Sequence, residues 1–417
     1  MPAKIESSCF KRGANKVKTK LLNFRMIIVF AISAMATLMS ISAAADTMNM
    51  DEKKYAALKS YAEKRLRETK IPGLGVGIIK DGKVVFAGGF GTRDLNTGEP
   101  INSQTVYLIG SATKSFTTTT IAMLNQDGIL NWDSTVRTYL PWFAYKDNEY
   151  VSSHVKLRDL ASHRTGLTLT EWQGDTPELG LYSSEPREKL VKSIRNYPLS
   201  TGLREEFHYN SAMFMTLGQV VTAATKTEYE DVVMQRIAKP LGMNSTIWSD
   251  LSGPNPPFAG NIAYPHAVEN GKASRIDFLF EGPAIHPSGT LTSNIDDMLI
   301  WLKFNLQEGE YNGKRLLSVE NHKTLITPNM IIGYGAGLDE NRTEAWPEMY
   351  GLGWFMGDYN GHRGVHHGGS STGTETQTFF MPDKNFAVAT FVNVADRLGD
   401  EAVMFILDLY KDELEER

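Results

Sequence analysis

Apolar positions recur at helical spacing at Tyr55, Leu58, Ala62 and Leu66, and Ile71-Pro72-Gly73 closes the run, which marks a first helix. β-rich runs follow at 74–80 and 83–87, separated by Asp81-Gly82, a pair favoured in tight hairpins. Gly88-Gly89-Phe90-Gly91 then allows close backbone approach, and Asn96-Thr97-Gly98 turns the chain again. Helical spacing returns at Phe116, Thr120, Met123 and Leu124, which predicts an amphipathic helix stopping near Gly128. From about 131 to 282 strand-like alternation fades. Helical segments at 157–163, 187–196, 212–224 and 229–238 alternate there with breaks at Pro240-Leu241-Gly242-Met243 and Gly253-Pro254-Asn255-Pro256-Pro257. After Pro287-Ser288-Gly289 a helix is expected at 295–306, then strands at 351–356, 362–367, 376–380 and 386–392. A closing helix at 401–411 carries Val403, Ile406 and Tyr410 on one stripe. The pattern implies an α/β fold: one antiparallel sheet flanked by helices and built from both chain ends, with a mostly helical subdomain inserted. The expected division is 46–130 plus 285–417 for the α/β part and 131–284 for the helical part.

The first 45 residues fall outside this pattern. Lys4, Lys11, Arg12, Lys16, Lys18, Lys20 and Arg25 make a basic segment, 26–42 is an apolar run, and Ala43-Ala44-Ala45 supplies small residues ahead of Asp46. This is the form of a cleaved export signal, with a retained membrane anchor as the alternative, so the expected location is periplasmic or secreted. The segment holds seven basic residues and one acidic, which leaves the other 372 with a net charge of about −11. An acidic surface argues against nucleic acid or anionic membrane as a partner. The single cysteine, Cys9, lies in the leader, so the remainder has no disulfide, thiol nucleophile or cysteine-held metal.

Candidate chemistry centres on Gly110-Ser111-Ala112-Thr113-Lys114-Ser115-Phe116. Ser111 stands at the first turn of the expected helix, where unpaired N–H groups favour an anion. Lys114 follows three residues on, on the same face, and a desolvated lysine can take the proton that a serine nucleophile must lose. Alone the pattern is cheap; Ser8-Cys9-Phe10-Lys11 repeats it in the leader. Three further stretches could join it. Phe207-His208-Tyr209-Asn210-Ser211 offers a phenol, which nearby cations would convert to a base. Val365-His366-His367-Gly368-Gly369-Ser370 offers a side-chainless strand edge whose N–H groups can face an oxyanion. Leu157-Arg158-Asp159-Leu160-Ala161-Ser162-His163 is expected to be a solvated helix with one packed face.

Together these motifs resemble the class C β-lactamases and the related D-alanyl-D-alanine carboxypeptidases and β-lactamase-like esterases. Ser111-x-x-Lys114, Tyr209-Asn210-Ser211 and His367-Gly368-Gly369 fall in the order and at roughly the distances of that family's three motifs. The likeness runs over roughly 55–410, including Ile71-Pro72-Gly73, Ser162-His163, Pro240-Leu241-Gly242-Met243 and Tyr350-Gly351-Leu352-Gly353-Trp354. It implies that Ser111 forms an acyl-enzyme, that Lys114 and Tyr209 share the proton work, and that the Ser111 and Ser370 N–H groups bind the oxyanion, at about 3–4 kcal/mol per donor. Gly369, His367 and Ser211 would line the substrate. No metal or organic cofactor is implied; the partner would be a small-molecule or peptide ester or amide. Two positions depart from the family. Ser211 stands where asparagine is common, offering one donor on a shorter arm. His367 stands where the lactamases carry lysine, so carboxylate recognition and depression of the Tyr209 pKa are expected to be weaker, as in the esterase and peptidase-like branches.

Rival readings carry less. Gly369-Ser370-Ser371-Thr372-Gly373 matches a nucleophile elbow, but a strand and turn are expected after it and no histidine follows His367. His362, His366 and His367 lack an acidic or cysteine partner at metal-ligand spacing. A binding protein that has lost catalysis is the alternative of another class, motivated by Ser211 and His367. Substrate identity is expected to reside in loops at 168–184 and 253–280, and oligomeric state has no readable signal.

Overall fold

Along the strand Gly73–Lys80, side chains alternate between two different neighbours. Leu74, Val76 and Ile78 enter one core with Leu58, Ala62, Val403 and Ile406. On the other face, a Cβ at Gly77 would sit 2.8 Å from Ile295 Cγ2 and 2.9 Å from Leu299, so glycine is what lets a helix lie against the strand there. In the computed structural model the described residues are 47–168, 184–253, 255–333, 348–359 and 361–415. The leader at 1–45 and the loop 169–183 lie outside them. Among the described residues, no helix is long and apolar enough to cross a membrane.

The central sheet has nine strands: β1 (Thr47–Met48), β2 (Gly73–Lys80), β3 (Lys83–Gly91), β4 (Met330–Gly333), β5 (Glu348–Tyr350), β6 (Phe355–Tyr359), β7 (His362–Ser371), β8 (Thr374–Met381) and β9 (Phe386–Val392). Their order is β1-β3-β2-β9-β8-β7-β6-β5-β4, with every neighbouring pair antiparallel. The two chain ends meet where β2 pairs with β9, in the register Val76 opposite Thr390. The sheet is thus built from both ends, as the hydrophobic pattern implied. Asp81 and Gly82 both take positive φ, 54° and 71°, the requirement of the tight turn joining β2 to β3.

Six helices matter for the site: α1 (Glu52–Thr69), α2 (Thr113–Gln126), α3 (Leu157–Ala161), α4 (Ser211–Thr225), α5 (Ile295–Leu306) and α6 (Leu398–Leu409). Asp51 caps α1 by accepting from Lys53 N and Lys54 N. Helices α1 and α6 cover one face of the sheet. Helices α2 and α5 lie on the other, where Phe116 stacks on Trp301 with ring centroids 4.1 Å apart.

Helix α2 departs from expectation. It is buried on every side from Thr113 to Leu124 rather than amphipathic, because α4, α5 and the chain around 319–325 surround it. Two of its threonines satisfy their hydroxyls locally, Thr120 Oγ1 donating to Phe116 O at 2.9 Å and Thr118 Oγ1 to Lys114 O at 3.2 Å, while Thr117 Oγ1 donates across to Pro287 O at 2.6 Å. Of the expected strand at 351–356 only Phe355 and Met356 are strand, in β6; residues 351–354 form a turn between β5 and β6. Gly353 there takes φ +78°, and a Cβ on it would lie 2.5 Å from Thr118 Oγ1. The 131–284 stretch also contains a hairpin, His266–Glu269 with Lys272–Arg275, and the short strand Ile247–Trp248; all are too brief for periodicity to register.

Candidate active site

Ser111 sits in the 3-10 turn Gly110–Ala112 that leads directly into α2. Two side chains of β8 hold the approach to this turn, Thr376 Oγ1 donating to Ile109 O at 3.0 Å and Thr374 Oγ1 to Leu108 O at 3.3 Å. The turn is pressed against β7. A Cβ on Gly110, which has φ +50°, would lie 2.7 Å from Ser370 N, and one on Gly369 would lie 2.7 Å from Ser111 N. Glycine at both positions is therefore what brings the Ser111 and Ser370 backbones together.

One helical turn into α2, Lys114 places Nζ 2.9 Å from Ser111 Oγ and donates to Ser288 O at 2.7 Å. Its amine also stands 4.7 Å above the Tyr209 ring and 5.4 Å from that of Phe214. The side chain is fully buried, no carboxylate among the described residues pairs with it, and burial pushes its pKa well below the ordinary lysine value. A neutral amine can accept the Ser111 hydroxyl proton while donating to the Ser288 carbonyl, and the two distances satisfy both bonds.

Tyr209 completes the group, its ring lying beneath the Lys114 amine and its phenol near enough to Ser111 for that hydroxyl to oppose part of the rise in its pKa. Part of its ring stays exposed, but its hydroxyl is enclosed, and burial raises the phenol above its ordinary value. This corrects the expectation that nearby cations would favour a phenolate. Lys114, the amine beside it, is itself depressed by the same burial. The middle of this motif is structural: Asn210 caps α4, its Oδ1 accepting from Ala212 N at 2.8 Å while Nδ2 donates to Leu167 O and Thr168 O.

Behind Tyr209 lies the last residue of the stretch expected to be a solvated helix, to which the sequence assigned no role at the site. His163 is fully buried at φ +56°, and its Nδ1 accepts from Asn210 N at 3.0 Å, with the ring centroid 4.4 Å from that of Tyr209. Its turn is tied down by Asp159. That carboxylate, 0 % exposed, accepts from Lys156 N, Arg164 Nε and two nitrogens of Arg204 at 2.7–2.9 Å. The stretch expected to be a solvated helix is thus an internal brace. Leu157, Leu160 and Ala161 share one face at i, i+3 and i+4, which fits the packed face expected, whereas nothing local marks Asp159 on the other side as buried.

Beside Ser111 opens a cavity of about 450 Å³, lined among others by Ser211, Glu281, Ser288, Ser370 and Ser371. Of the two loops expected to shape it, 169–183 lies outside the described residues, while the second contributes Leu279. Ser111, Ser211 and Ser370 line the cavity, and Lys114 and Gly369 stand directly behind them. His367 is placed differently. It is 1 % exposed and absent from the wall; its Nδ1 donates to Gly368 O at 2.6 Å and its Nε2 accepts from Tyr350 Oη at 3.0 Å. Burial pushes it down to about 3, so it is neutral. A substrate-contacting His367 is corrected to a ring inside the aromatic packing of Tyr350 and Phe355. The other two histidines of the stretch have separate partners, His366 with Glu348 and His362 with Asp383. The Gly369–Gly373 stretch turns from β7 into β8, as the rejection of the elbow required.

Known proteins extend the picture. The chain is 25% identical over 350 residues to an unguisins hydrolase of Aspergillus campestris, covering 81% of this chain and 62% of that protein. It is 24% identical over 339 residues to the protein flp of Staphylococcus aureus, again over 81% and 62%. The chain therefore spans about three-fifths of the length of these relatives. Among solved structures, the octameric penicillin-binding protein homologue from Pyrococcus abyssi aligns with a TM-score of 0.72 at 24% identity, covering 87% of this chain and 78% of that one. EstCE1, a hydrolase with promiscuous acyltransferase activity, aligns at 0.71 and 19%, covering 85% and 98%; at such identities the likeness speaks for the fold. The model of one family, Beta-lactamase, matches residues 58–412, and the chain belongs to that family.

Proposed function

We propose that the protein is a serine hydrolase that cleaves an ester or amide through an acyl-enzyme on Ser111. One observation carries the reading: a buried lysine amine with no carboxylate partner lies 2.9 Å from the Ser111 hydroxyl. In the proposed cycle Ser111 Oγ attacks the substrate carbonyl carbon as its proton passes to Lys114 Nζ. The oxygen that becomes negative is held by the N–H groups of Ser111 and Ser370. Collapse breaks the bond to the leaving group, which takes the proton from Lys114 through the Tyr209 hydroxyl. Water, deprotonated by the same pair, then attacks the ester on Ser111, and the released Oγ recovers its proton.

Esters and uncharged amides are favoured over β-lactams and D-alanyl-D-alanine peptides. Both of the latter present a carboxylate, and no described cavity-lining residue is Lys, Arg or His. The hydrolase name of the Aspergillus relative supports the reaction class. The basic and apolar leader supports export to the periplasm or beyond.

Labelling by a fluorophosphonate and turnover of p-nitrophenyl butyrate, nitrocefin and a D-alanyl-D-alanine peptide test the proposal. Ser111→Ala is expected to abolish labelling and hydrolysis, and Tyr209→Phe to cut kcat by two or more orders of magnitude with an unchanged melting temperature. Wild type indistinguishable from Ser111→Ala would replace the enzyme with a binding protein on the same fold.

A further inference from the structure

The wall of the cavity carries a carboxylate that the hydrolytic cycle does not use. Glu281 lines the space beside Ser111, and its Oε1 accepts from Ser371 Oγ at 2.7 Å. Ser371 directly follows Ser370, so the carboxylate is tethered one residue along the same strand from the proposed oxyanion donor. That hydroxyl is its one side-chain partner, and no Lys, Arg or His pairs with it among the described residues. Burial raises its pKa, the mark of a carboxylate whose hydration is only partly replaced. A second carboxyl, Glu375, contacts Ser370 from β8 and is pushed up to about 7 by burial and by Asp400 and Asp396, with Arg397 the cation that opposes the rise. Among the described residues the one lysine at the site is Lys114, which lies behind Ser111 and is depressed by burial.

These charges are one-sided. A carboxylate-bearing substrate would meet Glu281 with no cation to offset it, whereas an ammonium would supply the missing counter-charge in a site partly shielded from water. We infer that Glu281, held by Ser371, is a specificity residue that binds an ammonium group of the substrate, so that the enzyme acts on amine-bearing esters or amides and discriminates against carboxylates. This rests on the serine-hydrolase reading and deepens it. A buried neutral histidine at 367 fits the same substrate class, since no anion then needs a lysine there.

Binding can be measured apart from catalysis. On Ser111→Ala protein at pH 7, dissociation constants are taken for matched p-nitroanilides with 4-aminobutyryl, pentanoyl and glutaryl acyl groups, together with homologues one carbon shorter and longer. The ammonium compound of the best-fitting length is expected to bind at least tenfold tighter than its neutral counterpart, and the carboxylate compound more weakly than either. Adding Glu281→Gln should bring the three within about threefold of one another. Adding Ser371→Ala, which keeps the charge and removes the tether, should retain the order of preference. Equal binding of the three compounds to Ser111→Ala, or an unchanged preference after Glu281→Gln, would overturn the assignment. Hydrolysis by wild type is assayed separately, so a charge-blind enzyme refutes this inference alone, while a protein that binds these compounds without serine-dependent cleavage refutes the hydrolytic reading.

Discussion

Gly369 lies so close to Ile109 that a Cβ on it would sit 1.9 Å from the Ile109 carbonyl oxygen. The obstruction is backbone, which cannot rotate aside as a side chain could. Gly369→Ala is therefore expected to push β7 away from the Ser111 turn and lower fluorophosphonate labelling by at least a hundredfold. Gly357→Ala, in β6, is the control: a Cβ there meets nothing within 4 Å, and labelling should match wild type.

Burial of the Lys114 amine carries a stability cost. Its folded pKa is depressed by burial, so the unfolded chain binds the extra proton and stability falls as pH drops below the ordinary lysine value of 10.5. Lys114→Met removes that group from both states. The variant is expected to lose turnover entirely, yet to melt higher than wild type at pH 7, with the difference shrinking toward pH 10. Thermal unfolding at a series of pH values, beside ester hydrolysis, reads both effects.

Asp159 accepts from Arg164 and Arg204 while fully buried, and these bonds hold its carboxyl below the usual range against the opposing effect of burial. With the folded pKa lowered, its contribution is present above the unfolded carboxylate value and is lost as pH falls through the folded one. Asp159→Asn leaves two guanidinium groups short of a counter-charge and should cost about 3 kcal/mol, less any part that water restores to the more exposed Arg204. Because the same bonds hold the His163 turn behind Tyr209, kcat should fall even where the variant remains folded. Urea unfolding at pH 7 and kcat measured below the transition check the two parts.

Glu375 titrates at about 7 beside Ser370, through burial first and through its acidic neighbours second. Its folded pKa is raised, so the stability it contributes is complete below the ordinary glutamate value and is lost as pH rises through 7. Ionisation also sets a negative charge beside the proposed oxyanion donor. Wild-type kcat/KM is expected to decline above pH 7, and Glu375→Gln to extend the plateau and raise the melting temperature at pH 8. Coinciding pH profiles for the two proteins would remove Glu375 from both effects.

Local pattern set much of this molecule. The limits of β9 at 386–392 and α5 at 295–306 are legible locally, β9 from a nearly unbroken apolar run of strand length and α5 from helical spacing of its apolar residues. The Asp81-Gly82 turn follows from the positive φ that both residues accept. Ser111, Lys114, Tyr209 and Gly369 are recognisable from residue type and order. What surrounds them is not. Lys114 donates its second hydrogen bond to the carbonyl of Ser288, 174 positions away, and Glu281 reaches the same cavity across a similar span. The all-round burial of α2, the brace made by Asp159 and His163, the withdrawal of His367 from the wall and the opposite pKa shifts of Lys114 and Tyr209 all depend on which distant segments exclude water. Periodicity encodes which face of an element is apolar; whether a polar group loses its solvent is decided only when other elements close over it.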